Sequence, residues 1–298
     1  MTEENIEKYR KAGKIAAKAR KKSKKIIKKG KSFLEAAEEI ENYIEGQGGK
    51  PAFPVNLSTN NEAAHYTPGK DARKEFNEEQ VVKVDIGVHV DGYVGGDTAY
   101  TKDFTEENFE LVKASEIALE NAISLAKAGR KIKEISKEIQ ETIEEKGFKP
   151  IRNLSGHGLG ERTTHTEPTI PNVKTNTTEE LKEGQIIAIE PFASTGQGRV
   201  KEGKKAEIYG YNKPIQIRDR TARKIMKQAE KEYKELPFAK RWIQGQYQEL
   251  KMKMALKNLT NKKALKKYPV LKDDEGSLVS QAEKTIKIEE NGCEVLTD

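Results

Sequence analysis

The feature that most constrains this chain is an internal duplication. The segment FNEEQVVKVD, residues 76–85, aligns with LKEGQIIAIE, residues 181–190. In both copies a polar lead-in precedes a Val/Ile-rich run that ends in a carboxylate, the pattern of a buried strand. Further upstream, residues 39–58 and 138–155 each contain an amphipathic helix stopped by glycine, then a proline and an Asn-Leu-Ser strand. Residues 1–200 are therefore predicted to hold two copies of one unit.

Two such units can close their sheets around a shared axis. We expect this to bring Asp85 and Glu190 to equivalent places on opposite halves of one cleft. Residues 206–272 have no counterpart in the repeat, and apolar side chains recur there at helical spacing: Ala222, Ile225, Met226, Ala229, Tyr233 and Leu236. The sequence predicts an α+β fold in a single domain, residues 1–298, with a mostly helical insertion.

A hairpin signal lies in VVKVDIGVHVDGYVGGDTAYT, residues 81–101. The dipeptide Asp91–Gly92 favours a two-residue turn, and with that turn alone Asp85 and Asp97 would point to opposite faces. One extra residue in the return strand would reverse the alternation beyond it. We predict this bulge at Gly95–Gly96, because glycine tolerates the backbone angles that a bulge needs. The bulge would return Asp97 to the face of Asp85.

Carboxylates that converge on one face repel each other unless they are protonated or bridged by a cation. We therefore predict a metal site, against the alternative that the aspartates only solvate a turn. The predicted ligands are four carboxylates and one imidazole: Asp85, Asp97, His157, Glu190 and Glu283, the last central in a predicted strand at residues 277–290. Oxygen-rich ligation with one nitrogen suits Mn, Fe, Co or Zn, and bridging carboxylates can hold two ions roughly 3.5–4 Å apart.

Three of the four histidines lie in segments rich in glycine, proline and threonine: His65 in AAHYTPG, His157 in SGHGLGE and His165 in TTHTEPT. His157 is the best ligand candidate, because its glycine neighbours would leave room for an ion. His89, near the hairpin tip, is interpreted as a structural residue.

Composition narrows the class of protein. A single cysteine, Cys293, permits no internal disulfide, and the N-terminus has no secretory signal pattern, so we expect a cytoplasmic protein. No apolar run approaches the roughly 18 residues of a membrane helix. The net charge of +7 concentrates in KKSKKIIKKGK, residues 21–31. This segment predicts either a solvated helix face or an electrostatic contact to RNA, such as a ribosome surface.

Seven segments occur in a fixed order: FPVNLS, AAHYTPG, VKVDIGVHVDGY, DTAYT, NLSGHGLGE, AIEPFA and LPFAKRW. Together with the five ligand types, they resemble the type II methionine aminopeptidases of archaea and eukaryotes, within peptidase family M24. The resemblance covers nearly the whole chain and is strongest to the short archaeal form. It implies the pita-bread fold, whose internal pseudo-twofold symmetry agrees with the duplication.

The resemblance implies roles for the site residues. The five ligands match a centre of two divalent ions, which would be Co, Mn, Fe or Zn. His65 and His165 match histidines that contact the substrate and stabilise its tetrahedral intermediate, while Phe53 and Tyr268 match the methionine pocket. The implied reaction removes an N-terminal methionine, preferably before a small residue, through a hydroxide that bridges the metals. Glu190 would pass the water's proton to the leaving amine.

The implied partners are the N-terminal methionines of nascent polypeptides, with a transient ribosome contact and no DNA or membrane partner. The family expectation is a monomer.

The sequence departs from the family pattern at two places. Asp85 and Asp97 are one residue further apart than usual, so the bulge must absorb that residue or Asp97 misses the metal. The last strand reads QAEKT at residues 281–285 where the family has Gln-Phe-Glu-His-Thr. Ala282 and Lys284 are expected to face away from Glu283 and to alter packing more than ligation.

Two other functions compete with this one. A non-catalytic relative of the same fold could act as an RNA- or ribosome-associated binding factor, which the basic N-terminal helix favours but the complete set of ligand types does not. A prolidase or aminopeptidase P would share the fold, but those enzymes carry a substantial extra N-terminal domain.

Overall fold

The computed structural model describes residues 2–298. The first half of the repeat forms a sheet that packs against two helices. Its elements are α1 (Glu3–Ile26), α2 (Phe33–Gly46), β1 (Lys50–Pro51), β2 (Asn56–Thr59), β3 (Glu62–Ala64), β4 (Val81–Val90) and β5 (Tyr93–Asp103). The side chain of Thr2 caps α1 by accepting a hydrogen bond from Asn5 N, and acidic residues fill the first turn. β4 pairs antiparallel with β1, β2 and β5. The two helices bury their apolar faces against this sheet in one core.

The second half repeats the helix pair and short strands. Its elements are α3 (Phe109–Leu125), α4 (Ile132–Glu145), β6 (Lys149–Pro150), β7 (Ser155–Gly160), β8 (Thr163–Pro171), β9 (Ile186–Ile189) and β10 (Phe192–Ser194). The strand pairing preserves the repeat that the sequence predicts, because Pro51 pairs with Val88 in the first half and Pro150 pairs with Ala193 in the second. The predicted α+β fold with an internal repeat is confirmed.

Residues 201–272 form elements with no counterpart in the first half. They are β11 (Lys201–Glu202), β12 (Ile208–Tyr211), α5 (Arg220–Gln228), a π-helical turn (Ala229–Tyr233), β13 (Phe238–Ala239), α6 (Lys240–Ile243), α7 (Glu249–Asn261), β14 (Leu265–Tyr268) and β15 (Leu271–Lys272). The helices pack over the sheet β13-β12-β14 in a core of their own. Arg241 ties this region to the first half, since it pairs with Glu41 and donates to Thr67 Oγ1 at 2.7 Å.

The strand predicted at residues 277–290 is wrong in one respect, because the structure divides it. It forms β16 (Val279–Gln281) and β17 (Lys284–Glu289), and β18 (Gly292–Val295) follows. β16 pairs with β10 and β17 pairs with β9. The interruption lies opposite Pro191, in the segment between β9 and β10, because proline has no N–H to donate to the hydrogen bonds of the sheet. The two halves of the molecule meet beside this break, where Ala99 of β5 bridges Glu283.

The β4–β5 hairpin has the predicted turn and the predicted bulge. Val90 pairs with Tyr93 across the turn, and the ladder shifts so that Gly95 is the extra residue. Asp97 therefore pairs with Gly87, two positions from Asp85 and on the same face.

The reason predicted for the glycines was wrong. Neither Gly95 nor Gly96 has a positive φ. Instead, a Cβ at Gly95 would lie 2.2 Å from the carbonyl oxygen of Tyr9, and one at Gly96 would lie 2.5 Å from Cβ of Ala16. Both residues face α1, so glycine is required for the close approach of helix and hairpin.

Within residues 2–298, none of the helices is both long enough and apolar enough to cross a membrane.

Candidate metal centre and active site

All nine residues predicted for the site line one cavity of about 250 Å³ at the meeting of the two halves. They are Phe53, His65, Asp85, Asp97, His157, His165, Glu190, Tyr268 and Glu283. The polar lining, called the polar wall below, comes mainly from the repeat strands, whereas the apolar lining, called the apolar wall, comes partly from the insertion. Side chains far apart in the sequence thus converge on one cavity.

Asp97 is held in place by a threonine from the other half of the molecule. The hydroxyl of Thr285 accepts a hydrogen bond from Asp97 N at 2.8 Å and donates to Asp97 O at 2.8 Å. Thr101 holds the backbone of Gln281 in the same way, with both distances 2.8 Å. Each half therefore clamps a strand of the other half next to the site.

The second pair of carboxylates lies across the interrupted strands. The pairs Ile189–Lys284 and Phe192–Gln281 keep one register, which places Glu190 opposite Glu283. The backbone of Glu283 is fixed by Thr98, whose hydroxyl donates to Glu283 O at 2.9 Å. Gln281 donates its side-chain amide to Glu190 Oε2 at 3.4 Å.

His157 completes the polar wall from β7. Its Nδ1 lies 3.3 Å from the carbonyl oxygen of Gly158, so Nδ1 donates and Nε2 keeps its lone pair. Nε2 lies 3.6 Å from Glu190 Oε1 and 3.9 Å from Asp97 Oδ2. Burial lowers the pKa of His157 to about 3, with a further decrease from His165. A neutral imidazole that faces two carboxylates is poised to bind a cation.

The glycines beside His157 do not leave the space for an ion that we predicted from the sequence. A Cβ at Gly156 would lie 2.3 Å from the carbonyl oxygen of Ala188, and one at Gly158 would lie 2.3 Å from that of Glu167. The glycines admit the neighbouring strands β9 and β8, and this prediction was wrong in its reason. His157 itself lines the cavity beside Asp97 and Glu283.

The predicted ligands suit divalent cations because their negative charge is not compensated within the protein. Burial raises the pKa of Asp85 to about 7 and holds that of Asp97 well above its usual value, with the charge of Asp85 raising it further. The pKa values of Glu190 and Glu283 are raised in the same way, by burial and by the neighbouring aspartates. Asp85 Oδ1 and Glu283 Oε2 are buried and have no hydrogen-bond partner among residues 2–298. Cations would satisfy these oxygens and relieve the repulsion.

The tightest group of ligand atoms comes from Asp97, His157 and Glu283, whose candidate atoms all lie within 4.8 Å of one another. Asp85 and Glu190 flank this group and line the same cavity. The geometry therefore offers one compact three-residue centre with a further carboxylate on each side.

Two more histidines stand at the rim of the polar wall. His65 has a φ of 67°, a left-handed conformation that is uncommon outside glycine and concentrates at functional sites. Its Nδ1 lies 3.2 Å from the carbonyl oxygen of Pro269. The ring of His165 lies 4.2 Å from that of His157, centroid to centroid, and its Nδ1 lies 3.0 Å from Thr164 Oγ1. Burial lowers the pKa of His65 to about 4 and also lowers that of His165.

The apolar wall contains the two residues predicted for side-chain binding and several that the sequence did not single out. Phe53 packs over Gly87, where a Cβ would lie 2.3 Å from the phenyl ring, so only glycine admits the ring there. Tyr268 meets His65 edge to face, with ring centroids 5.7 Å apart. The unpredicted apolar residues are Ala64, Leu154, Phe192, Ile208, Pro237 and Leu271.

Four of these residues carried a sequence signal. Phe192 follows Glu190 by two positions in AIEPFA, and Ala64, Leu154 and Pro237 lie in the quoted segments AAHYTPG, NLSGHGLGE and LPFAKRW. Ile208 and Leu271 come from the region outside the repeat, and no local pattern in the sequence connects them to the site.

Comparison with known proteins agrees with this geometry. The profile of "Metallopeptidase family M24" matches residues 7–226. The chain belongs to metallopeptidase family M24. It is 44% identical over 295 residues to the methionine aminopeptidase of Pyrococcus horikoshii, covering 99% of this chain and 100% of that protein. It is 45% identical over 294 residues to that of Methanocaldococcus jannaschii, covering 99% of each. The predicted resemblance is confirmed.

Solved structures of M24 enzymes show the same fold. The methionine aminopeptidase of Thermotoga maritima superposes with a TM-score of 0.73 at 29% identity, over 100% of this chain and 98% of that one. The prolidase of Pyrococcus furiosus gives a TM-score of 0.63 at 23% identity, and this chain covers 64% of it. The predicted pita-bread fold is therefore confirmed, and this M24 chain spans almost the whole length of the aminopeptidase but not of the prolidase.

Proposed function

We propose that the chain is a methionine aminopeptidase that removes the N-terminal methionine from polypeptides by metal-dependent hydrolysis. The observation that carries the proposal is the convergence of four carboxylates and one neutral imidazole, with two unpartnered carboxylate oxygens, on one cavity with an apolar wall. Full-length similarity to archaeal methionine aminopeptidases supports it.

The proposed metal ligands are Asp85, Asp97, His157, Glu190 and Glu283, which would hold two divalent ions, of Co, Mn, Fe or Zn. When bound, such ions lower the pKa of a coordinated water toward neutrality and polarise the carbonyl of the first peptide bond. The unusually high pKa values of the four carboxyl groups support this assignment, since they mark a site whose charge is uncompensated in the protein alone.

Glu190 is proposed as the group that carries the proton. Burial and the charges of Asp97 and Asp85 raise its pKa well above the usual value, which is the direction expected for a carboxyl group that accepts a proton during the reaction. Its Oε1 faces His157, and its Oε2 accepts from Gln281, so the carboxyl group is oriented at both oxygens. Glu190 would take the proton of the attacking water and deliver it to the leaving amine.

The two outer histidines are proposed to act in different tautomers. The carbonyl of Pro269 can only accept, so His65 donates through Nδ1 and presents Nε2 as an acceptor. The partner of His165 is a hydroxyl, which can donate to Nδ1 and leave Nε2–H free to donate. His165 is thus the residue suited to stabilise the developing oxyanion, a contribution of about 10²-fold or more in comparable sites.

The apolar wall is proposed to bind the methionine side chain, with Phe53 and Tyr268 in direct contact. The free N-terminal amine of the substrate is proposed to bind one of the two ions when they are present, which would account for an exopeptidase. The preference for a small second residue is proposed from the limited volume of the cavity, about 250 Å³.

Further aspects of the proposal concern organisation and context. We propose that residues 1–298 form one catalytic domain, with residues 206–272 as its inserted subdomain; Met1 lies outside the described residues. We further propose a cytoplasmic monomer that acts on nascent polypeptides with a transient ribosome contact.

The test is cleavage of the peptide Met-Gly-Met after removal of metal and reloading with single metals, with elemental analysis of each preparation. We expect methionine release only in reloaded samples and none from N-acetylated Met-Gly-Met. Bound metal without cleavage of Met-Gly-Met would contradict the proposal and favour a binding factor. Preferential release of a residue before proline would instead favour a prolidase-like enzyme.

A further inference from the structure

The N-terminal helix α1 carries a continuous face of lysines that the active site does not use. Five of them recur at three- and four-residue spacing, which places them along one side of the helix: Lys11, Lys14, Lys18, Lys21 and Lys25. All five are exposed. At 1.5 Å per residue the face extends about 21 Å along the helix axis. We call these five residues the lysine face.

The lysine face has no charge compensation. Residues 8–31 contain no Asp or Glu. In the described residues, ion pairs near the face occur only beyond its ends. They join Lys8 to Glu4, Arg10 to Glu3, Glu7 and Glu294, Lys29 to Glu78, and Lys31 to Glu39. In the part of the chain that the structure describes, no carboxylate lies within ion-pair distance of the five lysines. Like charges at this spacing repel, so the face is unfavourable for the helix itself.

The repeat supplies an internal control for what the fold requires. α3 takes the place of α1 in the second half, because each packs against the following helix and a strand next to the site. Its exposed side carries Glu110, Glu116 and Glu120, and Lys113 pairs with Glu116 at 2.7 Å. An uninterrupted row of lysines is therefore a property of α1 and not of this position in the architecture.

We propose that the lysine face of α1 binds the phosphate backbone of folded RNA. Lysines along a rigid helix can neutralise successive phosphates without reading bases, and no aromatic residue is interleaved among them to stack on a base. A lipid surface fits less well. The apolar residues of α1, including Ile15, Ala16 and Ala19, are buried against the hairpin and cannot insert into a bilayer.

The choice of RNA over DNA rests on the proposed function, because the N-termini of growing chains emerge beside ribosomal RNA. The charge of the lysine face does not depend on that function. Methionine release from a short peptide and nucleic-acid binding are separate measurements, so failure of one proposal leaves the other testable.

The experiment compares two quadruple variants of the full chain. In the first, Lys14, Lys18, Lys21 and Lys25 are changed to Gln. The matched control changes four exposed, unpaired lysines of the insertion to Gln: Lys224, Lys251, Lys257 and Lys262. The control region is itself cationic, since residues 206–272 hold 18 Lys and Arg against 6 Asp and Glu. Both variants remove the same charge, and Gln keeps a helix propensity close to that of Lys.

Binding to a labelled 20-base-pair RNA duplex is followed by fluorescence anisotropy across a salt series. We expect the first variant to bind at least tenfold more weakly than the parent chain at low salt. Its slope of log affinity against log salt should be smaller by roughly 3 to 4, about one unit for each lost phosphate contact. The control should change affinity less than threefold, and both variants should release methionine from Met-Gly-Met at the parental rate.

Several outcomes would overturn the proposal. Equal weakening in the two variants would show that only total charge matters. Absence of RNA binding by the parent chain at low salt, or tighter binding to vesicles containing anionic lipid, would also exclude it. A DNA duplex bound more tightly than the RNA duplex would overturn the assignment to RNA.

Discussion

The two halves of the repeat place carboxylates in the same cavity by different backbone routes. In the first half, Asp85 and Asp97 lie on one continuous hairpin, and a bulge at Gly95 brings them to one face. In the second half, Glu190 and Glu283 face each other across strands that are interrupted at the site. One irregularity adds a residue, whereas the other breaks the ladder.

This difference shows that the repeat conserves where the carboxylates lie without conserving how the backbone delivers them. The first pair depends on local structure, because turn, bulge and strand are neighbours in sequence. The second pair depends on long-range pairing around the insertion. Two threonines connect the halves through reciprocal hydrogen bonds, since Thr285 holds the backbone of Asp97 and Thr101 holds the backbone of Gln281.

The largest expected effect comes from removing one charge from either half. Asp97→Asn and Glu283→Gln keep the side-chain shape but weaken a ligand of the compact centre. We expect each to lower kcat/KM for Met-Gly-Met by about 10³-fold or more, because metal-dependent activation of water requires the full anionic set. Peptide kinetics with elemental analysis measures this.

Glu275→Gln, an exposed acid outside the cavity, serves as the control and should leave kcat/KM unchanged. If one half tolerates its substitution with full activity, the two halves do not contribute equally and that residue is not a ligand.

The features of the two halves that could be predicted from the sequence are those set by residues close together in the chain or related by the repeat. Strand alternation, the Asp91–Gly92 turn and the parity of the hairpin determine that an extra residue is needed before Asp97. The alignment of the two copies likewise predicts that Asp85 and Glu190 are equivalent. These inferences use only residues close in sequence or related by the repeat, and the cavity contains all of them.

The remaining features required tertiary contacts. The reason for Gly95 lies in the backbone of Tyr9, which a hairpin pattern does not reveal. The apolar wall uses Ile208 and Leu271 from the insertion, whose sequence pattern reports only packing. The break in the last strand follows from Pro191 on a neighbouring strand. Each is a long-range contact that a single sequence encodes without local signal.

The second-largest effect tests the close approach of α1 to the bulge. Gly95→Val would place side-chain carbon against the carbonyl of Tyr9, where even a Cβ would lie at 2.2 Å. Because the obstacle is backbone, we expect a loss of about 2–4 kcal/mol in the free energy of unfolding. Chemical denaturation measures it. Gly46→Ala, where an added Cβ has no atom within 4 Å, should change stability little.

Deletion of Gly95 or Gly96 tests whether the site needs the bulge itself or only the position of Asp97. Without the extra residue the ladder becomes regular, yet Asp97 still pairs with Gly87 and keeps the face of Asp85. We therefore expect the shortened chain to bind metal and cleave Met-Gly-Met. Loss of metal binding in a folded deletion variant would show that the bulge itself shapes the site.

The threonine clamps give a third and smaller effect. Thr285→Val leaves Asp97 N buried without its hydrogen bond, at a cost of about 1–3 kcal/mol in stability. Because Asp97 is then less firmly placed, we expect metal affinity to fall roughly tenfold, as for other supports of metal ligands. Thr101→Val removes the equivalent clamp at Gln281. It should cost similar stability but less metal affinity, which calorimetric titration of both variants would measure.

The protonation state of the carboxylates predicts how metal binding depends on pH. Burial raises the pKa of Asp85 to about 7, so the metal-free site holds a proton there below neutral pH. A cation must displace that proton, and affinity should therefore rise about tenfold per pH unit up to pH 7 for each proton released. Calorimetry in buffers of different ionisation enthalpy counts the protons. Affinity that is flat between pH 5 and 7 would show that Asp85 is already ionised.

The smallest effect is expected at Lys284, although it is adjacent to a proposed ligand. Strand alternation turns Lys284 away from Glu283, and its Nζ lies 2.6 Å from Asp298 Oδ1 at the surface. Such an exposed pair contributes about 0–1 kcal/mol, so Lys284→Ala should change stability by no more than that. Methionine release should be unaffected, because the backbone of Glu283 is held independently by Thr98 and Ala99. A clear loss of activity without loss of stability would mean that a side chain on the outer face of the last strand affects the active site. The geometry of the hairpin in the first half gives no reason to expect such an effect.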